Sequence, residues 1–259
     1  MSVVERPDGV EIEWRERGEG PLVALASVLQ APPDTLSGLG DELSSDHRFV
    51  DYDLRGTGAS TRAGPYDMAT DVADLIAVLE AAGGSAVVIA LGDGANRAVH
   101  AAAARGDLVS AVVVSGQALV GPAEDAPDAL SLSGQVLEGL LRMYETDHRA
   151  AIRSVVTTAD ENLSETEIRE RVELTAAYVS RESLAPRTRS WVEDDAREDA
   201  RALGERLYIL AYPGNPWFPI ELLDVLREQL PEARIEEVAA GAMSRPDLAA
   251  AAVRRITGA

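Results

Sequence analysis

Hydrophobic and polar positions along this chain follow two different periods, and the changes of period mark out its elements. Val10–Arg15 alternates apolar and polar side chains, the pattern of a strand with one face in water. Leu22–Ala26, Ala86–Leu91, Leu108–Val114 and Leu207–Ala211 are instead short, nearly unbroken apolar runs, which predict strands covered on both faces. Arg48–Asp53 and Arg234–Val238 predict two more strands. Helical spacing lies between them. Tyr66–Ala82 carries Val72, Leu75, Ile76 and Leu79 on one face and ends at Gly83-Gly84. An Ala-rich helix is predicted from about Gly94 to Ala104, and further helices over Ile220–Leu230 and Pro246–Ile256. Strands alternating with helices imply an α/β fold, a mostly parallel sheet flanked by helices.

The pattern changes after Ser115. From about Gln117 to Asp195 no strand is predicted, and Leu130–Met143, Arg149–Thr157, Glu165–Ser180 and Pro186–Val192 read as helices. Ser164 with Glu167 three residues on is a capping pair for the third of these. The predicted organisation is one core domain, residues 1–116 and 196–259, with a helical cap inserted over 117–195. No internal repeat or low-complexity linker interrupts it.

Composition narrows the choice of partners. The 259 residues are 46% hydrophobic, enough for one substantial core. Acidic residues number 44 against 24 basic ones, a net charge of −20, and every basic residue is Arg. So negative a surface repels phosphate backbones and anionic headgroups, which argues against nucleic acid and membrane partners. The absence of Cys excludes disulfides, thiolate nucleophiles and Cys-ligated metals. No apolar run has signal-peptide length or approaches the roughly 20 residues of a membrane span, so a cytoplasmic protein is expected.

One stretch carries a family resemblance. Asp51-Tyr52-Asp53-Leu54-Arg55-Gly56-Thr57-Gly58-Ala59-Ser60 resembles the Asp-Leu-Arg-Gly-His-Gly-x-Ser segment of the α/β-hydrolase superfamily. The strand–turn–helix at Ala86–Ala104, the helical cap and the closing Tyr-Pro-Gly-Asn-Pro-Trp-Phe-Pro fall in the same order as in that family. The resemblance implies the α/β-hydrolase fold, and it implies three positions at which chemistry would be carried. The nucleophile of the family stands in a strained turn between strand and helix. Here that turn reads Ala90-Leu91-Gly92-Asp93-Gly94, and counting back from Arg105-Gly106-Asp107-Leu108-Val109 puts Gly92 in the slot. The base slot, in Ala239–Pro246, falls on Met243, and the acid slot on Asn215. Glycine cannot attack, a thioether takes no proton at neutral pH, and an amide cannot stabilise an imidazolium by charge. Where relatives show His-Gly at the oxyanion loop, this chain has Ala26-Ser27-Val28. A member that has lost its catalytic triad is therefore expected.

Several residues could still do chemistry. Asp93 is the one candidate catalytic group: a turn slipped by one position would place it as a nucleophile, although the simpler reading is an Asp in the first turn of a helix, favoured by the macrodipole. His47, His100 and His148 read as structural; His100 stands roughly 12 Å along a helix from Gly92. Ser27 and Ser115 end buried strands, where open sheets bind ligands, and hydrogen bonding is expected of them rather than attack. Asp53 and Arg55 read as a buried ion pair. No phosphate-cradling loop, metal-ligand spacing or cofactor is implied.

The expected site is a pocket between core and cap. Its floor would be Val28, Gly92, Asp93, Asn215 and Met243, with Ser27 and Ser115 beside it. Tyr144, Tyr178, Trp191 and Trp217 are aromatic candidates for its walls, at least half of them core residues. The leading functional expectation is a binding protein for a small, largely apolar organic molecule, or a non-hydrolytic catalyst of cyclase, lyase or isomerase type. Two alternatives stand beside it: an active hydrolase using Asp93 or relocated groups, and an interaction protein with a vestigial pocket whose acidic face serves a partner or a homodimer.

Overall fold

The computed structural model describes residues 1–116, 135–159, 162–215, 220 and 223–259. Among these, eight strands form one sheet: β1 (Ser2–Glu5), β2 (Glu11–Arg17), β3 (Leu22–Ala26), β4 (Arg48–Tyr52), β5 (Ala86–Ala90), β6 (Val109–Ser115), β7 (Leu207–Ala211) and β8 (Arg234–Glu237). Their order is β1-β2-β4-β3-β5-β6-β7-β8. β2 pairs antiparallel with both β1 and β4, and all other pairings are parallel.

The unbroken apolar runs are explained by what covers them. Val88, Ala90, Val112 and Val114 face a layer built from α2 (Met68–Ala82), α3 (Gly94–Ala104), α8 (Arg197–Leu203) and α9 (Leu223–Gln229). Their neighbours Val87, Ile89, Ala111 and Val113 face α1 (Ser37–Leu43) and α10 (Pro246–Thr257). Because side chains alternate between faces, a strand buried on both sides has to be apolar throughout.

Among the described residues four helices lie between β6 and α8: α4 (Gln135–Thr146), α5 (His148–Ala159), α6 (Glu165–Tyr178) and α7 (Arg181–Glu193). They share a small core of their own, in which Tyr144, Ile152, Ile168, Val172 and Leu184 pack with Leu29 from the loop after β3. Ser164 caps α6 in the expected reciprocal way with Glu167. The helix expected to start at Pro186 begins five residues earlier, at Arg181. A proline inside a helix costs one backbone hydrogen bond, and the burial of Ser183, Leu184 and Arg187 along this face outweighs that loss. Short elements escape the periodicity altogether. β1 is an almost fully exposed edge strand, and α8 buries only Ala200 and Leu203. Parts of two expected helices, residues 130–134 and 221–222, lie outside the described residues.

Among the bonds that fasten the helical layer to the sheet layer in the described residues, three sets stand out. Backbone bonds join the turn after β4 to the α6–α7 junction: Gly58 donates to Tyr178 O at 2.8 Å, and Ser180 donates to Gly56 O at 2.7 Å. Arg187 on α7 donates to Asp71 on α2 from Nε at 2.7 Å and from Nη2 at 2.9 Å. Lastly, His100 on α3 holds Asp194 just past α7 at 2.9 Å and Asp199 on α8 at 2.6 Å. The hydrogen bond to Asp194 is the main cause of a His100 pKa raised to about 9, against the opposing effect of burial and with further help from Asp199.

That shift fixes a pH dependence. A group protonated more readily in the folded than in the unfolded state stabilises fully below its unfolded pKa near 6.5 and loses this as pH rises through about 9. Replacing His100→Gln should therefore lower the free energy of unfolding near neutral or mildly acid pH, by on the order of 1 kcal/mol once solvent screening of this half-buried group is allowed for. Urea titrations above the folded pKa should find the two proteins nearly equal.

Candidate functional site

The parallel strands all end along one edge of the sheet, and the loops that leave this edge face α4, α5, α6 and α7. Between them lies a cavity of about 340 Å³. That is within the range of small-molecule pockets. Its floor includes Val28, Gly92, Asp93, Ser115, Asn215 and Met243, drawn from the ends of five strands. Tyr144 and Trp191 stand in its walls together with Val155, Val156 and Leu174.

The turn between β5 and α3 positions the centre of the floor. Gly92 has φ +51°, whereas Asp93 has φ −62°. The left-handed residue of the turn is thus Gly92, and among the described residues no non-glycine takes a positive φ. A Cβ built on Gly92 would meet nothing nearer than Val28 Cγ1 at 3.6 Å, an ordinary contact. The space above this backbone is open.

Asp93 is engaged elsewhere. Arg97, one turn along α3, donates to it at 2.7 Å, and the Leu29 backbone N–H donates to it at 3.2 Å. Asp93 stands at the N-cap of α3, where the helix dipole favours a carboxylate; its side chain makes no cap bond and joins a charge network. Asn215 is 6% exposed and donates from Nδ2 to Gly116 O. Met243, by contrast, is 47% exposed at the rim. Ser115 Oγ accepts from the Ala242 N–H at 3.0 Å, tying the end of β6 to the loop that carries Met243.

Three expected residues stand differently. Ser27 is absent from the cavity lining because its hydroxyl is spent on the carbonyl of Tyr52. Tyr178 also points away and donates to Asp53 at 3.0 Å. Trp217 lies outside the described residues. Asp53 and Arg55 are both buried and ion-paired, but not with each other: Asp53 pairs with Arg15 at 2.7 Å, and Arg55 with Asp74 at 2.7 Å and Asp8 at 2.8 Å. Two arginines and three acids drawn from separate elements cannot be matched from chain order alone.

No histidine lines the cavity. His47 is buried against Asp46 and Thr257, His100 holds Asp194 and Asp199, and His148 begins α5. Among the described residues no group of three His, Cys, Asp or Glu side chains could hold a metal.

Of the lining residues that escaped the sequence reading, two are singled out by their surroundings. Tyr212 slots its ring between Gly116 and Gly241, where a Cβ on either glycine would fall 2.5 or 2.6 Å from a ring atom. Burial pushes the phenol pKa up, so it stays a neutral donor. A glycine two residues before Met243 and another directly after Ser115 were the only trace of this ring in the sequence. Arg187 is the second, and its Asp71 partner lies 116 residues away.

No family model matches the chain, and no curated protein matches it in sequence. Solved structures do match it across nearly its whole length. An esterase from Exiguobacterium antarcticum superposes with a TM-score of 0.85 at 15% identity, covering 100% of this chain and 99% of the other. A bromoperoxidase from Bacillus anthracis gives 0.81 at 18% identity, covering 95% of each. E-2-(Acetamidomethylene)succinate hydrolase gives 0.72 at 18% identity over the full length of both. The fold is the α/β-hydrolase fold.

The open space above Gly92 makes a stability prediction. An L-residue in a left-handed conformation costs roughly 1–2 kcal/mol, and no steric clash adds to that here. Gly92→Ala should accordingly unfold cooperatively in urea with a loss in that range. Gly241→Ala, whose Cβ would enter the Tyr212 ring, should lose more and alter the near-ultraviolet circular dichroism of the tyrosine.

Proposed function

We propose that this chain is an α/β-hydrolase-fold protein that has lost the catalytic triad and holds a small, largely apolar molecule between its sheet edge and its helical cap. It would act as a binding protein or as a non-hydrolytic catalyst, in which the cavity works by positioning rather than by covalent attack. The core would comprise residues 1–116 and 196–259, and the cap 117–195. The observation that carries this reading is Gly92, a residue with no side chain at the strained apex of the β5–α3 turn, in a cavity without a histidine. Nucleophilic catalysis needs a nucleophile within reach of a base, and no described residue of the lining pairs a serine with a histidine.

Two further features support a retained ligand rather than a vestigial pocket. Protein interiors rarely leave voids unfilled, yet about 340 Å³ remains open over the floor. Most of its lining is aliphatic or aromatic, with polar and charged groups set among them, Asp34, Asp93, Arg171 and Arg187 included, a mixture found in small-molecule sites. Against Asp93 as a nucleophile stands its engagement by Arg97 and Leu29, which leaves its carboxylate tied down on both oxygens.

Activated short-chain aryl esters should be turned over no faster than in buffer, and a serine-directed organophosphonate should leave the protein unlabelled. Turnover abolished by that probe, or by Asp93→Asn, would overturn the proposal. A neutral solvatochromic dye should bind with a blue-shifted emission. Gly92→Leu, which fills the floor, should abolish that signal while urea unfolding stays cooperative; a Gly92→Leu protein that binds the dye undiminished would place the ligand elsewhere.

A further inference from the structure

The proposed function leaves open what polar group a largely apolar ligand would carry. Among the described residues four charged side chains line the cavity: Asp34, Asp93, Arg171 and Arg187. Two of them are already engaged. Arg187 donates to Asp71 from Nε and Nη2, and Asp93 accepts from Arg97 and from the Leu29 N–H. Arg97 also pairs with Asp71, so these buried groups form one set of two arginines and two aspartates, neutral as a whole. That set has no surplus charge to offer a ligand. Asp34 and Arg171 differ from it, because both are exposed.

Arg171 is held at the mouth of the cavity by its helix. It stands on α6 three and four residues before Leu174 and Thr175, which line the cavity too, and that spacing puts all three on one face. Among the described residues none hydrogen-bonds or ion-pairs with the Arg171 guanidinium. Glu167, one turn back, attracts it across space, but Glu167 Oε2 accepts from the Ser164 N–H at 2.8 Å and from Ser164 Oγ at 2.6 Å. Two arginines of the adjoining α5 have found carboxylates on α6, Arg149 with Glu173 and Arg153 with Glu165, each at 2.8 Å. In a chain with 44 acidic residues, a guanidinium left unmet beside a cavity is available to an anion that the ligand brings. Asp34 is the opposing charge. It penalises each negative charge carried to the mouth, which favours a singly charged carboxylate over a doubly charged phosphate. Acids further off are screened over about 10 Å at 0.1 M ionic strength.

We infer that Arg171 receives the carboxylate of a monocarboxylic acid whose apolar body fills the cavity towards Gly92. This rests on the reading of the cavity as a ligand site, and the test separates the two. The anion 4-phenylbutyrate, its neutral isostere 4-phenylbutanamide and the cation 4-phenylbutylammonium are to be titrated as competitors of the neutral dye. The anion should bind about fivefold tighter than the amide, the size expected of one partly exposed charge-assisted pair, and the cation no tighter than the amide. In Arg171→Gln, an exposed change to another good helix former, the advantage of anion over amide should fall to within about twofold while amide affinity persists. Arg169→Gln removes the same charge two residues away on α6, at a position that does not line the cavity, and should leave the preference as in the wild type. Equal affinities of anion and amide for the wild-type protein, a cation that binds tighter than the anion, an undiminished preference in Arg171→Gln, or an equal loss in Arg169→Gln would each overturn the role of Arg171. The comparison of the three competitors on the wild-type protein stands even if a variant fails to fold. Failure of anion, amide and cation alike to displace the dye would overturn the cavity as a ligand site.

Discussion

A single buried carboxylate, Asp71, ties together three helices from different parts of the chain. It sits on α2, takes Arg187 from α7 and Arg97 from α3, and is itself 0% exposed. Two buried charges attract strongly but are expensive to desolvate, so the net worth of such a cluster is modest. The penalty falls on any arrangement that breaks it, because an orphaned charge would remain in the interior. The cluster therefore acts on geometry more than on stability. It sets where α7 lies over the sheet edge, and with that the height of the cavity roof above Gly92.

The same network reaches the floor. Arg97 extends it to Asp93, whose other oxygen receives Leu29 N–H from the loop after β3. Arg97 also donates to the carbonyl of Ser27 in that loop. A carboxylate next to the turn of an α/β-hydrolase fold is thus a structural tie between loop and helix, and the side chains around the open space hold each other in place. Support of this kind lets the floor keep its shape with only a glycine at its centre.

How much of this could be read in advance depended on how local the cause was. β3, β5 and β6 were legible because burial on both faces forces every position to be apolar. α6 was legible because Ser164 and Glu167 cap it within one turn. α1 and α8, seven residues each, bury too few side chains to leave a periodicity. The expectation for the floor came from counting along the strand–turn–helix, in which Gly92 carries a positive φ. The roof did not. Arg187 looked like one of several charged residues on a helix, and only the fold brings Asp71 to it. Tyr212 was hidden for a related reason: the two glycines that admit its ring lie on opposite sides of it in the chain.

Fastening the helical layer at the β4 turn, at Asp71 and at His100 has a kinetic consequence. A cover hinged at one place can swing, whereas one anchored at three separated places is closer to a fixed roof. Collective opening on the microsecond-to-millisecond scale would have to break buried ion pairs and backbone bonds together. The easier way past is local. Leu174 and Met243 line the cavity and are 57% and 47% exposed, so they stand where it meets solvent. Rotamer changes of such side chains take picoseconds to nanoseconds, and a thioether with three rotatable bonds is well suited to the task. Entry and exit would then resemble passage through a pore more than the lifting of a lid.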